Sequence, residues 1–334
     1  MNDLISIINT FSQKEFVPIF LEKHKKELKI KNKISNFSRK IFKKERENLV
    51  MLVNFIDGKN PRKYIFKLRF VNNIDLANKS FFINTFLFSE APYLAPKPIT
   101  YFSEYKIFVY EMSEGKSLNE IIKKEHNQKK INYNFFQAAR AMAQLHKLDT
   151  HKIEENKNFH QFTAFSLTHF IVEKLAEKKD DDLKKEIILL IQEILKEIGK
   201  LNIEEKKIVH GDFQLENLIF INNLSFIDFD LSFIGDPLVD FGNFLVQLCY
   251  GGIMTKEIEK EARKLFFNTY LDITNYKSKD LFKRINLAVL LAHIRNINFY
   301  FYNVKNQKKE IVIKKINKMK NIFNNLDKDP LSFF

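Results

Sequence analysis

HGDFQLENLIFINNLSFIDFDLSFIGDPLVD, residues 210–240, is the stretch on which the reading of this 334-residue chain turns. His210-Gly211-Asp212 follows the short apolar run Ile208-Val209 and reads as a turn. Two further apolar runs, Leu218 to Ile221 and Leu224 to Ile227, flank Asn222-Asn223, the pattern of a β-hairpin. Such a hairpin brings Asn217, at the start of one strand, close to Asp228, at the end of the other. An amide oxygen and a carboxylate then converge, and hard oxygen donors are what Mg2+ takes when phosphates complete its octahedron. Asp212, one loop earlier, is placed to receive a proton from a hydroxyl nucleophile. A proton acceptor and two oxygen ligands are the parts that phosphoryl transfer requires. Taken singly, an Asp or Asn in a turn is more often a cap or turn former than a ligand. The spacing of the whole set carries the weight.

HGDxxxxN, then Asp228 eleven residues after Asn217, then Gly235-Asp236-Pro237 and Asp240, resembles the aminoglycoside phosphotransferase and choline kinase superfamily, a branch of the protein-kinase-like fold. Gly211 stands where protein kinases usually have Arg, which favours small-molecule kinases. The resemblance implies that Asp212 is the catalytic base and that Asn217 and Asp228 hold Mg2+. It gives Asp240 a bracing role behind the catalytic loop, and His210 a loop-holding one. FVYEMSEGKSL, residues 108–118, is similar to the strand and hinge between lobes, where backbone groups of Glu111 and Ser113 bond the purine edge of ATP or GTP. Tyr64 to Leu68 is similar to the third strand, with Lys67 neutralising the α- and β-phosphates. The plainer reading of Lys67 is an exposed strand lysine in a lysine-rich chain, but apolar neighbours on both sides favour the functional one.

Two departures from the family pattern stand out. A glutamate is expected about sixteen residues past the lysine, on the helix of the small lobe, to fix its ammonium. Here that stretch is Phe81-Phe82-Ile83-Asn84, and the nearest carboxylates are Asp75 and Glu90. Either one of these substitutes from a helix end, or the lysine is held by phosphate alone. Residues 31–45 contain no glycine, so a phosphate-covering loop there relies on donors such as Asn36 and Ser38.

Outward from these motifs, the order of elements is that of an α+β chain. Residues 1–28 have apolar positions at helical spacing, and the Lys- and Arg-rich stretch to Lys44 reads as a solvated hairpin surface. Strands are expected at Asn48 to Ile56 and Lys63 to Val71 around an Asp-Gly turn, followed by a helix from Asp75 to Phe88 and a second strand pair. Residues 117–207 and 255–324 are mostly helical by period. A bilobal protein-kinase-like fold follows: a small antiparallel sheet with one helix over 1–112, carrying the nucleotide, and a larger helical lobe over 113–334, carrying the catalytic loop and acceptor site.

Composition narrows the partners. Apolar residues make up 45%, and 8 Gly with 7 Pro exclude collagen-like and linker readings. A net charge of +14 makes a polyanionic partner worth weighing, but the basic residues are dispersed, with no recognition module, so nucleic acid is not expected. The single Cys249 forms no internal disulfide, the opening residues lack a basic, apolar leader, and no run is long enough to span a membrane, so a cytoplasmic location is expected. For the acceptor, residues 255–334 carry 17 basic and 8 acidic residues, which weighs against a polycationic aminoglycoside. Phe299-Tyr300-Phe301-Tyr302 invites a cage for a quaternary ammonium, but consecutive helical positions diverge and core packing is the simpler role. Arg295 is a candidate contact for an anionic or sugar acceptor, or a salt-bridge partner. The expected function is transfer of the γ-phosphate of a Mg-nucleoside triphosphate to a hydroxyl of a sugar, amino alcohol or aminoglycoside-like molecule. The alternative is a nucleotide-binding protein of this fold with weak or regulatory activity.

Overall fold

The computed structural model describes residues 2–45, 47–71, 74–154, 182–203, 206–220, 223–250, 254–278, 280–303 and 309–334, with the side chains of 2–3, 71, 74, 154, 182–184, 249–250, 297–303, 309 and 311 outside that description. The chain forms two compact units, Met1–Gly115 with Ile219–Leu231, and Lys116–Leu218 with Ser232–Phe334.

The first unit is built on an antiparallel sheet. Strands β1 (Ile34–Glu45), β2 (Asn48–Asp57) and β3 (Asn60–Val71) form a meander, β4 (Ile74–Asp75) pairs the end of β3, and β5 (Pro98–Phe102) and β6 (Ile107–Glu111) complete the order β1-β2-β3-β6-β5. Gly58, at φ +67°, makes the β2–β3 turn. Helices α1 (Asn2–Phe11) and α2 (Phe16–Lys23) cover one face, where Phe11 and Phe20 meet edge-on at 4.9 Å and Phe20 reaches Phe66 at 5.9 Å. Tyr64, Phe66 and Leu68 face this core, so the period-two alternation of β3 turns Lys67 and Arg69 to the opposite face. That second face carries α3 (Leu76–Glu90), capped by Asp75, whose carboxylate accepts the Asn78 amide at 2.9 Å.

The basic stretch before Lys44 is strand β1 rather than a hairpin of its own. Its exposed positions mix Ser, Asn, Lys and Glu with a half-exposed Phe42, while Arg39 bonds the Phe11 and Ser12 carbonyls, so no clean alternation shows; the exposed charges help keep an edge strand from pairing with other chains. Asn36 (φ +49°) sits at a bulge within this strand, and Ser38 accepts from Asn54 at 3.2 Å. Neither lies in a loop. At the end of the strand Glu45 pairs with Asn48 of β2.

Leu218–Phe220 and Leu224–Phe226 pair as the expected hairpin. Phe226 donates its amide to Leu94 O at 2.8 Å, which ties the hairpin to the loop after α3. The second unit is mainly helical, with helices at Leu118–Ile122, Gln128–His146, Asp182–Gly199, Leu238–Tyr250, Lys256–Thr274, Leu281–Asn303 and Lys309–Phe323 among the described residues. Phe213, Phe241, Phe244 and Phe266 form its aromatic centre, with Phe244 and Phe266 at 4.1 Å. Helices 238–250 and 281–303 touch backbone to backbone at Gly242, where a Cβ would lie 2.5 Å from the Ala288 carbonyl carbon. No helix among the described residues is long and apolar enough to cross a membrane.

Candidate active site

In the second unit, strand Lys207–Val209 delivers the chain into His210-Gly211-Asp212, and Gly211 takes the left-handed φ of +78° that the turn demands. Asp240, fully buried at the start of helix 238–250, accepts the His210 amide at 2.6 Å and the Gly211 amide at 2.8 Å. Its Oδ2 also meets His146 Nε2 at 3.1 Å, and His146 Nδ1 meets the Tyr270 hydroxyl at 2.8 Å. The carboxylate is thus satisfied by loop amides and an imidazole, a structural clamp at the back of the loop. Ser232 donates to His210 O at 3.0 Å, and His210 Nδ1 accepts the Asp212 amide at 3.3 Å. Asp236 accepts a hydrogen bond from Arg284 Nε at 2.9 Å, and Arg284 Nη2 lies 2.8 Å from its other carboxylate oxygen as an ion pair.

The Asp212 carboxylate keeps about a fifth of its surface open and gathers three donors. Arg295 reaches Oδ1 at 2.9 Å, while Gln214 Nε2 and Asn217 Nδ2 reach Oδ2 at 3.2 Å each. Asn217 Nδ2 also donates to Asp212 O at 2.9 Å. A carbonyl can only accept, so the amide orientation is decided and Asn217 Oδ1 is turned away from Asp212. That oxygen is the kind of hard donor a magnesium ion takes.

In the first unit, Lys67 is buried and pairs with Asp228 Oδ1 at 2.6 Å and Asp230 Oδ1 at 2.7 Å. Burial alone would lower its ammonium pKa, but the carboxylates of Asp228 and then Asp230 outweigh it and raise it above the ordinary value. Asp228 holds a left-handed φ of +69°, an uncommon conformation that sets its carboxylate, one-third exposed, beside Lys67. Asp230 is fully buried and also takes Arg69 Nη1 at 2.8 Å and the hydroxyl of Ser80.

This arrangement corrects the expectation for the lysine's partner. Asp75 is occupied as the cap of α3 and by the Tyr101 hydroxyl, and α3 offers Ser80 and Lys79, just before the stretch that lacks glutamate, toward Asp230 instead. The ammonium is held by the two aspartates of the Asp228-Phe229-Asp230 run, a pairing across 161 residues that no local pattern announces. Asp230 is the residue that sequence reasoning missed; its only signal was a second acid two places after Asp228.

Glu111 and Met112 give their amides to Lys97 O at 2.9 Å and Lys63 O at 2.8 Å, so the sheet uses both. The Glu111 side chain pairs with Lys97 at 2.8 Å. The Ser113 amide has no hydrogen-bond partner among the described residues. Both residues line a cavity of about 290 Å³ with Tyr93, Lys97, Met112 and Asn223. The aromatic run 299–302, the candidate cage for a quaternary ammonium, lies outside the described side chains. No group of three metal-binding side chains occurs among the described residues, and a magnesium ion completed by phosphates needs only one or two protein oxygens.

A kinase-like α+β fold with a clamped HGD loop and a buried strand lysine is that of a phosphotransferase. A family model described as "Phosphotransferase enzyme family" (APH) matches residues 49–276, and the chain belongs to that family. No curated protein sequence matches it. Among solved structures it is similar to choline kinase from Cryptosporidium parvum Iowa II, at 17% identity over 94% of this chain and 96% of that one, with a TM-score of 0.67. It is also similar to ADP-bound aminoglycoside phosphotransferase APH(2'')-Ib, at 18% identity over 93% and 99%, TM-score 0.56. A third likeness is to amicoumacin kinase in complex with AMP-PNP, Ca2+ and Ami, at 14% identity over 94% and 96%, TM-score 0.61. At these identities the likeness establishes the fold.

Proposed function

We propose that the protein moves the γ-phosphoryl group of ATP or GTP to a hydroxyl of a small molecule. In this reading Asp212 takes the proton from the acceptor hydroxyl, Asn217 and Asp228 hold Mg2+, and Lys67 takes up charge on the phosphates that are not transferred. Backbone groups of Glu111 and Ser113 meet the purine. Phosphoryl transfer asks a protein mainly for positioning and electrostatic stabilisation, and the clamped loop and the paired lysine are suited to that work. A bound magnesium ion supplies charge neutralisation at the phosphates. The observation that carries the reading is the Asp212 carboxylate, partly open, on a loop whose amides are locked to buried Asp240. The nucleotide and divalent ion named for the two phosphotransferase and kinase structures above support the donor, and the family membership supports the reaction class.

The alternative is a weak or regulatory nucleotide-binding role, whose one support is the absence of glutamate from the Phe81–Asn84 stretch of α3. One assay separates the two. ADP and GDP release is measured with Mg2+ across sugars, homoserine, choline, ethanolamine and aminoglycosides, with Asp212→Asn as the blank. Acceptor-dependent release that vanishes in the blank supports the kinase. Nucleotide binding without release for any acceptor supports the regulatory role and refutes the kinase reading.

A further inference from the structure

The base proposed above is held by a residue far along the chain. Arg295, in the helix Leu281–Asn303, donates Nη2 to Asp212 Oδ1 at 2.9 Å and Nη1 to Gly211 O at 2.6 Å, and Nη1 also meets Asn243 Oδ1 at 3.1 Å. The guanidinium is a rigid planar fork, and one fork here spans the carbonyl and the carboxylate of consecutive residues. That fixes the carboxylate relative to its own backbone. The two oxygens are held unequally. Oδ1 has a charge-assisted bond, while Oδ2 has two longer bonds from the neutral amides of Gln214 and Asn217. A hydroxyl entering the site can displace a neutral amide from Oδ2 more readily than the guanidinium from Oδ1. The fork itself has a firm base, because helix 281–303 is pressed against helix 238–250 at Gly242, and Asn243 on that second helix also donates to Gly211 O at 3.2 Å.

We propose that Arg295 is the positioning residue of the catalytic base: it anchors Oδ1 of Asp212 and so presents Oδ2 to the acceptor hydroxyl. The inference rests on Asp212 being the base of the proposed kinase. It gives Arg295 a role in turnover and none in nucleotide capture.

The test uses the full chain with the acceptor that performs best in the panel above. Arg295→Ala, Arg295→Lys and Arg295→Gln are compared with wild type for kcat, for KM of nucleotide, and for binding of a fluorescent nucleotide analogue. Loss of orientation predicts that Arg295→Ala lowers kcat about a hundredfold, with nucleotide KM and binding held within about threefold. Ethylguanidine in solution restores the Ala variant by about tenfold or more and leaves Arg295→Gln unchanged, because glutamine fills the space. Arg295→Lys keeps the charge without the fork and falls between wild type and Ala. A kcat within threefold of wild type in Arg295→Ala overturns the inference. So does a fall in kcat that ethylguanidine does not relieve and that comes with loss of nucleotide binding, the signature of a collapsed loop. Wild-type protein that transfers phosphate to no acceptor overturns the kinase reading and this inference with it, whereas activity that survives Arg295→Ala sinks the inference alone.

Discussion

Replacing Asp230 by Asn tests whether the two-aspartate clamp on Lys67 is the keystone of the first unit. The change is nearly isosteric, so packing is kept and only charge is lost. Asp230 is fully buried, with Lys67 at 2.7 Å, Arg69 at 2.8 Å and the Ser80 hydroxyl in contact. Removing one member of a buried ion pair costs about 3–5 kcal/mol, because the other charge is left stranded. Here Lys67 retains Asp228 at 2.6 Å and Arg69 is partly solvated, so the lower end applies, about 3 kcal/mol. At roughly 1.4 kcal/mol per factor of ten, amide protection in the unit should fall about a hundredfold. Native-state hydrogen exchange is the suitable assay, since a chain with two compact units need not melt in one transition. The slow amides of β3 and α3 should lose protection while those of helix 128–146 in the second unit hold theirs. Adding Lys67→Met should recover at least half the loss, because it removes the surplus positive charge and leaves Asp228 to Arg69. A change below about fivefold in β3, or an equal loss in helix 128–146, would refute the reasoning.

Further outcomes can be measured on the same protein. Asp212→Asn should cut turnover by about a hundredfold or more, the usual general-base contribution, with Mg-nucleotide binding by calorimetry nearly unchanged; wild-type turnover would remove Asp212 from the mechanism. Asp228→Ala should weaken nucleotide binding in Mg2+ far more than binding in EDTA, and equal weakening in both would show that Asp228 does not hold the ion. Gly242→Ala forces a Cβ to 2.5 Å from the Ala288 backbone, so it should destabilise the second unit by about 1–3 kcal/mol in urea and also lower kcat by shifting the helix that carries Arg295. Lys79, on α3 against Asp230 O, has its ammonium pushed down by burial to about 7 from an ordinary 10.5. The unfolded chain therefore binds more protons between those values, and stability should rise with pH from about 7 to 10.5. Lys79→Met should flatten that rise in urea titrations and stabilise the protein at pH 7 and below, whereas an unchanged slope would show that burial does not penalise the ammonium.

Much of the architecture was legible along the chain because it rests on local rules. The hairpin at 218–226 followed from two apolar runs around a turn, the β2–β3 turn from Asp57-Gly58, and the start of α3 from a capping aspartate. The spacing of His210, Asp212, Asn217, Asp228 and Asp240 was enough to indicate the family, since the loop needs those groups in one order. Strand β1 escaped, because an edge strand with a solvated face carries lysine and arginine where alternation would be read.

What the chain alone could not supply was the identity of the charged partners. An ionic contact has no periodicity: Lys67 finds Asp228 and Asp230 across 161 and 163 positions, and Arg295 finds Asp212 across 83. Sequence spacing could only offer Asp75 and Glu90 to the lysine, and left Arg295 between a substrate contact and a salt bridge. The fold decided both, because removal from water makes an unpaired charge costly, and a buried or half-buried cation ends beside whichever carboxylate the packing brings to it. Local pattern thus determined which chemical groups this protein carries and on which elements. Tertiary packing alone determined which of them meet.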